Sequence, residues 1–225
     1  MLLDYIRQRQ KMLKESNNFY TANGIHVFTK DQMMNDIVDL ESVVAKLESL
    51  LPDHIRDGVE MVIVGEFDEF IERDINAFYD SGAIFITNEQ DDDQDMIDDI
   101  IHEIAHAVEE RYNDFIYSDS SIEREFMAKR ETLFNLCQSY DLHPPKSMLV
   151  NSDFDQVIDD YLYLEVGYDV INDLVNGLFI SAYAATSLSE YYARTFEEWV
   201  FGHRDQVRKL SPALYNIFED LFEED

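Results

Sequence analysis

The stretch DDQDMIDDIIHEIAHAVEER, residues 92–111, decides the fold of the region around it. Its apolar residues recur three and four positions apart: Met96, Ile97, Ile100, Ile101, Ile104, Ala105 and Val108. This spacing places them on one face of an α-helix. The aspartates at the start of the stretch suit a helix N-terminus, where exposed backbone N–H groups favour negative charge. The sequence therefore predicts one long amphipathic helix over residues 92–111.

Two histidines stand four positions apart inside this helix, in the segment His102-Glu103-Ile104-Ala105-His106. Residues four apart share a helix face, so the two imidazoles can bind one tetrahedral Zn²⁺. Glu103 lies beside the pair, where its carboxylate can accept a proton from a zinc-bound water. Such a metal supplies the nucleophile and the Lewis acid that amide hydrolysis lacks at neutral pH. The segment predicts a catalytic zinc site, although chance also produces this pattern on ordinary helices.

A catalytic zinc needs a third protein ligand and an open position. The pattern that continues with a Gly and a third His is absent, because Glu109 and Tyr112 occupy those places. Glu110 shares the helix face, but it lies about 12 Å along the helix from His102, too far to share an ion. The third ligand is therefore expected from another helix. The candidates are Glu125, Glu131, Glu190, Glu197 and Glu198.

Residues 183–196, YAATSLSEYYARTF, resemble the corresponding stretch of the anthrax lethal factor-like and Pro-Pro endopeptidase metallopeptidases. In those families a Tyr precedes the zinc-binding Glu by seven residues, and two aromatic residues and an Ala follow the Glu. Tyr183 and Glu190 match that Tyr and that Glu. The later matches are Tyr191, Tyr192, Ala193 and Phe196, whereas Arg194 stands where those families often carry an acidic residue.

The resemblance implies that Glu190 is the third zinc ligand and that Tyr183 donates its hydroxyl to the oxyanion of the tetrahedral intermediate. Small phage-encoded metallopeptidases with a hairpin, HExxH and a late Glu-Tyr-aromatic-Ala segment are similar too. From the residues alone, Tyr183 can equally be an ordinary aromatic, and Glu197 is the main alternative ligand because it follows Glu190 by two turns. Residues 113–182 have no assigned role, so the substrate preference stays open.

Two of the other glutamates have a simpler interpretation. Glu125 and Glu131 stand on the next predicted helix among basic residues at helical spacing, where surface ion pairs form. The basic residues are Arg124, Lys129 and Arg130. We therefore expect both glutamates, and these three cations, to form surface pairs.

The rest of the chain predicts an α+β fold. Residues 75–79 and 83–87 are expected to be two strands joined by the turn Asp80-Ser81-Gly82, a hairpin, and residues 60–64 another strand. Helices are expected over residues 1–15, 31–51, 121–140, 155–179, 187–201 and 212–223. The strand over residues 83–87 either forms the sheet edge, where an extended substrate can add as a further strand, or lies inside the sheet.

These elements are expected to form one zincin-like metallopeptidase domain over residues 1–225. Its N-terminal lobe, about residues 1–112, would hold a small mixed sheet whose hairpin packs on the HExxH helix. Its C-terminal lobe, about residues 113–225, would be mostly helical and carry the third ligand.

The composition narrows the classes of partner. The 225-residue chain has 17 basic and 48 acidic residues, a formal net charge of −31, which disfavours nucleic acid and anionic membranes. No apolar run approaches the ~20 residues of a membrane span. The single Cys137 suits a reducing compartment, and no secretory signal is visible. We therefore expect a cytoplasmic protein, in the host cytoplasm if it is phage-encoded.

The sequence thus predicts a zinc-dependent endopeptidase with one catalytic Zn²⁺ and a protein or peptide substrate. Two alternatives stay open. One is a non-catalytic acidic binding protein, an inhibitor or a mimic of nucleic acid, which the net charge suggests. The other is a protein whose zinc site is purely structural. The oligomeric state is not predicted.

Overall fold

The structure is a computed structural model, and it describes residues 18–35, 37–73 and 75–223. The helix expected over residues 1–15 lies outside the described residues. The chain divides into two compact units, Met1–Val108 and Glu109–Asp225. All strands of the described sheet belong to the N-terminal unit, whereas the C-terminal unit is helical. This is the α+β class that the sequence predicts.

The N-terminal unit is built on a mixed five-stranded sheet. Its elements are β1 (Asn18–Tyr20), β2 (His26–Thr29), α1 (Leu40–Leu50), α2 (Asp53–Arg56), β3 (Met61–Val64), α3 (Asp68–Arg73), β4 (Ala77–Asp80), β5 (Ala83–Ile86) and most of α4 (Asp93–Arg111). The end of α4, from Glu109 on, belongs to the C-terminal unit. The strand order is β1-β2-β3-β5-β4. The three central strands β2, β3 and β5 run parallel, and the two outer strands are antiparallel to their neighbours.

One face of this sheet supplies much of the core. The strand register places two rows of side chains next to each other across the three central strands, and all of them are buried: Val27, Val62 and Ile84, then Thr29, Val64 and Ile86. Alternate residues of a strand point to the same face. Helix α4 buries its predicted apolar stripe as well. Burial of this stripe leaves the polar residues of α4 on its other sides.

β4 and β5 form the predicted hairpin. Ser81 and Gly82 both have positive φ angles, 49° and 90°, as a two-residue type I′ turn requires. β5 lies between β3 and β4, so the interpretation of residues 83–87 as the sheet edge is wrong. The parallel pairing of β5 with β3 puts β4 outside, although β4 comes first in the sequence.

The first helix is shorter than the one expected over residues 31–51. α1 begins at Leu40, because the side chain of Asp39 accepts hydrogen bonds from the backbone N–H groups of Glu41 and Ser42 and caps the helix there. Ile37, counted in the apolar stripe, lies before this cap and is 65% exposed. The end of the helix before Pro52 is as predicted.

The C-terminal unit contains seven α-helices among its described residues, with short 3₁₀ and π segments between them. They are α5 (Asn113–Ile116), α6 (Ser121–Ser139), a 3₁₀ turn (Lys146–Leu149), α7 (Gln156–Asp160), a π-helix (Tyr161–Val166), α8 (Tyr168–Val175), a 3₁₀ turn (Tyr183–Ala185), α9 (Leu188–Val200), α10 (Arg204–Leu210) and α11 (Pro212–Glu223). The predictions over residues 121–140, 187–201 and 212–223 are confirmed as α6, α9 and α11. In the part of the chain that is described, no helix has an apolar stretch long enough to cross a membrane.

The helix expected over residues 155–179 is interrupted. A π-helix follows α7, and Gly167 then takes a φ of 90° between the end of the π-helix and the start of α8. Positive φ is a conformation that glycine adopts without steric cost. The apolar spacing of this stretch therefore indicated helical residues correctly but not the break.

Helix α9 is held by aromatic packing along its length. The ring of Tyr191 lies 5.5 Å from that of Phe126 on α6. On α11, the ring of Phe218 lies 5.4 Å from Tyr192 and 5.7 Å from Phe196. All five rings are buried. Aromatic pairs of this kind stabilise the packing beyond the burial of their apolar area, so these contacts stabilise the position of α9 within the C-terminal unit.

Candidate metal centre

The two histidines of the HExxH segment lie on consecutive turns of α4. Their Nε2 atoms are 3.2 Å apart, and the rings are nearly perpendicular, with centroids 4.9 Å apart. Two nitrogens that bind one tetrahedral Zn²⁺ at about 2.05 Å are themselves about 3.3 Å apart. His102 and His106 therefore have the spacing of two ligands of a single ion.

Glu190 lies in the first turn of α9. Ser187 caps this helix, because its Oγ accepts a hydrogen bond from the backbone N–H of Glu190 at 3.1 Å. His102, His106 and Glu190 each offer one ligand atom, these atoms all lie within 4.8 Å of one another, and the three residues are half-buried. Two imidazoles and one carboxylate are a donor set of catalytic zinc sites, which keep a fourth position open.

The other glutamates that were candidates belong to no such group in the described residues. Glu197 is buried, and its Oε2 lies 2.7 Å from a guanidinium nitrogen of Arg194. Glu198 pairs with His203 at 2.6 Å. Glu125 accepts a hydrogen bond from the Tyr191 hydroxyl at 2.6 Å. These contacts give each of the three a role inside the C-terminal unit.

Glu103 is only 7% exposed, between the two histidines on α4. One turn before His102 stands Asp99, whose carboxylate accepts a hydrogen bond from Gln90 Nε2 at 3.1 Å. Burial raises the pKa of Asp99 to about 6; the hydrogen bond from Gln90 opposes this shift, and the negative charges of Asp95 and, less strongly, Glu103 add to it. The sequence interpretation did not include Asp99. The sequence could have indicated Asp99, because it precedes His102 by three positions and residues three apart on a helix are neighbours.

Tyr183 lies in the 3₁₀ turn just before α9. Its hydroxyl is hydrogen-bonded to the carboxylate of Glu190. Burial, followed by the negative charge of Glu190, raises the pKa of Tyr183. The hydroxyl therefore keeps its proton at neutral pH and acts as a donor. The structure brings Tyr183 and Glu190 together, and the roles that the resemblance implies for them stay predictions.

Tyr168 lies next to Tyr183. It belongs to residues 113–182, the section for which the sequence predicted no role. The two rings meet edge to face with centroids 6.4 Å apart, and the Tyr168 hydroxyl donates to Asp159 Oδ1 at 3.3 Å. Burial, then the charge of Asp159, raises the pKa of Tyr168. The sequence carried no signal for this contact, because it joins two separate segments of the chain.

Arg130 holds the loop that leads into α9. Its guanidinium donates to the backbone carbonyls of Ala185, Thr186 and Asn151, and its side chain is fully buried. The expectation that Arg130 forms a surface ion pair is therefore wrong. Helical spacing made the pair plausible, but the side chain turns inward to satisfy carbonyls that burial would otherwise leave without donors.

Comparison with known proteins finds no relative of this chain: no family model, no curated protein and no solved structure matches it. The function of the site therefore rests on the chemistry and geometry of its own residues.

Proposed function

We propose that this protein is a zinc-dependent endopeptidase with a zincin-like site, in which His102, His106 and Glu190 hold one Zn²⁺. The observation that carries the proposal is the grouping of their three ligand atoms within 4.8 Å of one another. The 3.2 Å separation of the two histidine Nε2 atoms supports it, because it fits a shared tetrahedral ion.

The chain supplies two further groups for peptide hydrolysis. A bound zinc ion would lower the pKa of the attacking water and polarise the scissile carbonyl. Glu103, adjacent to His102 on α4, accepts the proton of that water and gives it to the leaving amine. Tyr183 keeps its proton because its pKa is raised, and it donates to the developing oxyanion when its hydroxyl turns away from the Glu190 carboxylate.

A polypeptide is the proposed substrate. The net charge of −31 disfavours nucleic acid and anionic membrane surfaces as partners. An extended peptide can pair with an outer strand through backbone hydrogen bonds. Because β4 is the outer strand beyond β5, it takes the role that the sequence suggested for residues 83–87.

The substitution Glu103→Gln separates metal binding from catalysis. Gln keeps the size of the side chain but cannot accept the proton, so the variant should retain one zinc per chain and lose peptide hydrolysis by at least about 10²-fold. Elemental analysis measures the zinc, and cleavage of a peptide library followed by mass spectrometry measures turnover. Glu110→Gln, an exposed change on the same helix, is the matched control and should cleave like the wild type.

Three outcomes contradict the proposal. Hydrolysis by Glu103→Gln at the wild-type rate would falsify the role of Glu103. A wild type that purifies without zinc and does not take it up would favour an acidic binding protein. A zinc-loaded wild type that cleaves no peptide in the library, and holds the ion through a fourth protein ligand, would favour a structural site.

A further inference from the structure

Glu109 lies one helical turn after His106, in the last turn of α4, and its carboxylate accepts two hydrogen bonds. Ser189 Oγ donates to Glu109 Oε2 at 2.5 Å. The Tyr117 hydroxyl donates to the other oxygen, Oε1. Ser189 directly precedes Glu190 in the first turn of α9. One carboxylate thus ties the last turn of α4 to the turn that carries the proposed third ligand.

Both contacts join a hydroxyl donor to a carboxylate acceptor. Hydroxyl groups that donate to an ionised carboxylate form short bonds of about 2.5–2.7 Å, roughly twice as strong as neutral ones. Ser189, Tyr117 and Glu109 are all half-buried, so water competes less for them than at the surface. The two donors approach different oxygens of Glu109, which allows their effects to be separated.

We propose that Glu109 is a positioning residue for zinc binding: through Ser189 it fixes the first turn of α9 and so the carboxylate of Glu190. This inference rests on the proposed function, since it assumes that Glu190 binds the ion. Groups that orient metal ligands without touching the metal typically change metal affinity 10–100-fold when they are removed. Glu109 does this through a neighbouring residue and not through the ligand itself.

The experiment is a measurement of zinc affinity by competition with a chromophoric chelator, in the full chain. Ser189→Ala and Glu109→Ala should each weaken zinc binding by roughly 3–10-fold, less than the loss of a group that hydrogen-bonds a metal ligand directly. Glu109→Gln keeps an acceptor oxygen for Ser189 and should bind zinc more tightly than Glu109→Ala. Tyr117→Phe is the matched control, because it removes the other hydrogen bond to the same carboxylate; its zinc affinity should stay within about 2-fold of wild type.

A double variant tests whether Glu109 influences zinc binding through Ser189. If Glu109 acts through Ser189, the double variant Glu109→Ala/Ser189→Ala should bind zinc no more weakly than the weaker of the two single variants. The reason is that substitutions at two residues in contact do not have additive effects. Urea unfolding of the zinc-free proteins identifies any variant that has lost its fold. Ser189→Ala is the mildest change of the set and keeps the test informative if Glu109→Ala unfolds.

The outcomes distinguish the two levels of inference. Wild-type zinc affinity in folded Ser189→Ala and Glu109→Ala would overturn the positioning role and leave the proposed function intact. Equal weakening by Tyr117→Phe and Ser189→Ala would also overturn it, because the effect would then be one of general stability. A wild type that binds no zinc would contradict the proposed function and the positioning role with it.

Discussion

At the scale of the residue, the surroundings of Tyr183 maintain its hydroxyl as a donor. Burial and the charge of Glu190 raise its pKa, so the proton is retained over the whole physiological pH range. The ring of Tyr183 makes an edge-to-face contact with the ring of Tyr168, with centroids 6.4 Å apart. In the structure the single proton of this hydroxyl is directed at Glu190, so the hydroxyl must turn away from that carboxylate before it can donate to a developing oxyanion.

Tyr183→Phe should therefore lower kcat for peptide cleavage by about 10²-fold, the typical loss when one oxyanion donor is removed. Zinc affinity should fall as well, because the lost hydroxyl is hydrogen-bonded to the proposed ligand Glu190, so kcat is measured at saturating zinc. Tyr163→Phe is the control. Its ring also contacts Tyr168, at 5.2 Å, but it is 50% exposed, and the variant should cleave like the wild type. An unchanged kcat in Tyr183→Phe would remove this tyrosine from the mechanism.

At the scale of the element, Lys129 connects three helices of the C-terminal unit. Its Nζ donates to the Tyr191 hydroxyl on α9 at 2.8 Å and to the carbonyl of Leu210 at the end of α10. On its own helix α6, Glu125 lies 3.9 Å away. Burial lowers the pKa of Lys129 to about 8, and the charge of Glu125 opposes this shift.

This shift predicts how the stability depends on pH. A lysine in the unfolded chain titrates near pH ~10.4, whereas Lys129 in the fold titrates near pH 8. Between these values the unfolded state binds more protons, so the contribution of Lys129 to stability rises with pH. The free energy of unfolding of the wild type, minus that of Lys129→Met, should increase from pH 7.5 to pH ~9.5.

Urea denaturation at several pH values measures this difference. Lys209→Met, a change at an exposed lysine, is the control. The free energy of unfolding of the wild type minus that of Lys209→Met should not change over the same pH range. A difference that falls as the pH rises would mean that the hydrogen bonds of the ammonium group outweigh its burial.

At the scale of the whole molecule, the sequence predicts the regular elements better than the contacts between distant segments. The hairpin before α4 and the helix α9 follow from turn chemistry and apolar spacing, which are local properties. The HExxH spacing likewise predicts that His102 and His106 share one helix face. Contacts such as those of Arg130 with backbone carbonyls depend on how distant segments pack, which no local pattern encodes.

The same reason explains the errors within single elements. Residues 31–39 have helical spacing, but the cap at Asp39 starts α1 later. Residues 83–87 have the pattern of a strand, and only the parallel pairing with β3 shows that β5 is internal. The bond from Ser189 to Glu109 joins residues whose types were visible in the sequence, yet nothing local indicated that they meet.

The net charge of −31 leads to a last prediction about the whole chain. Charges of one sign repel one another in the compact state and destabilise it. Salt screens this repulsion, because the Debye length falls from about 30 Å at 0.01 M to about 10 Å at 0.1 M. The Tm of the zinc-free protein should therefore rise when sodium chloride is increased from 10 to 300 mM.

Each kcal/mol of relieved repulsion should raise the Tm by about 2–4 °C in a chain of this size. Differential scanning calorimetry measures the shift. Replacing three exposed acidic residues of the C-terminal unit together, Glu165→Gln, Asp169→Asn and Asp173→Asn, should raise the Tm at low salt and reduce its dependence on salt. A Tm that falls as salt is added would instead mean that specific ion pairs, such as Arg194 with Glu197, outweigh the general repulsion, since screening weakens attraction and repulsion alike.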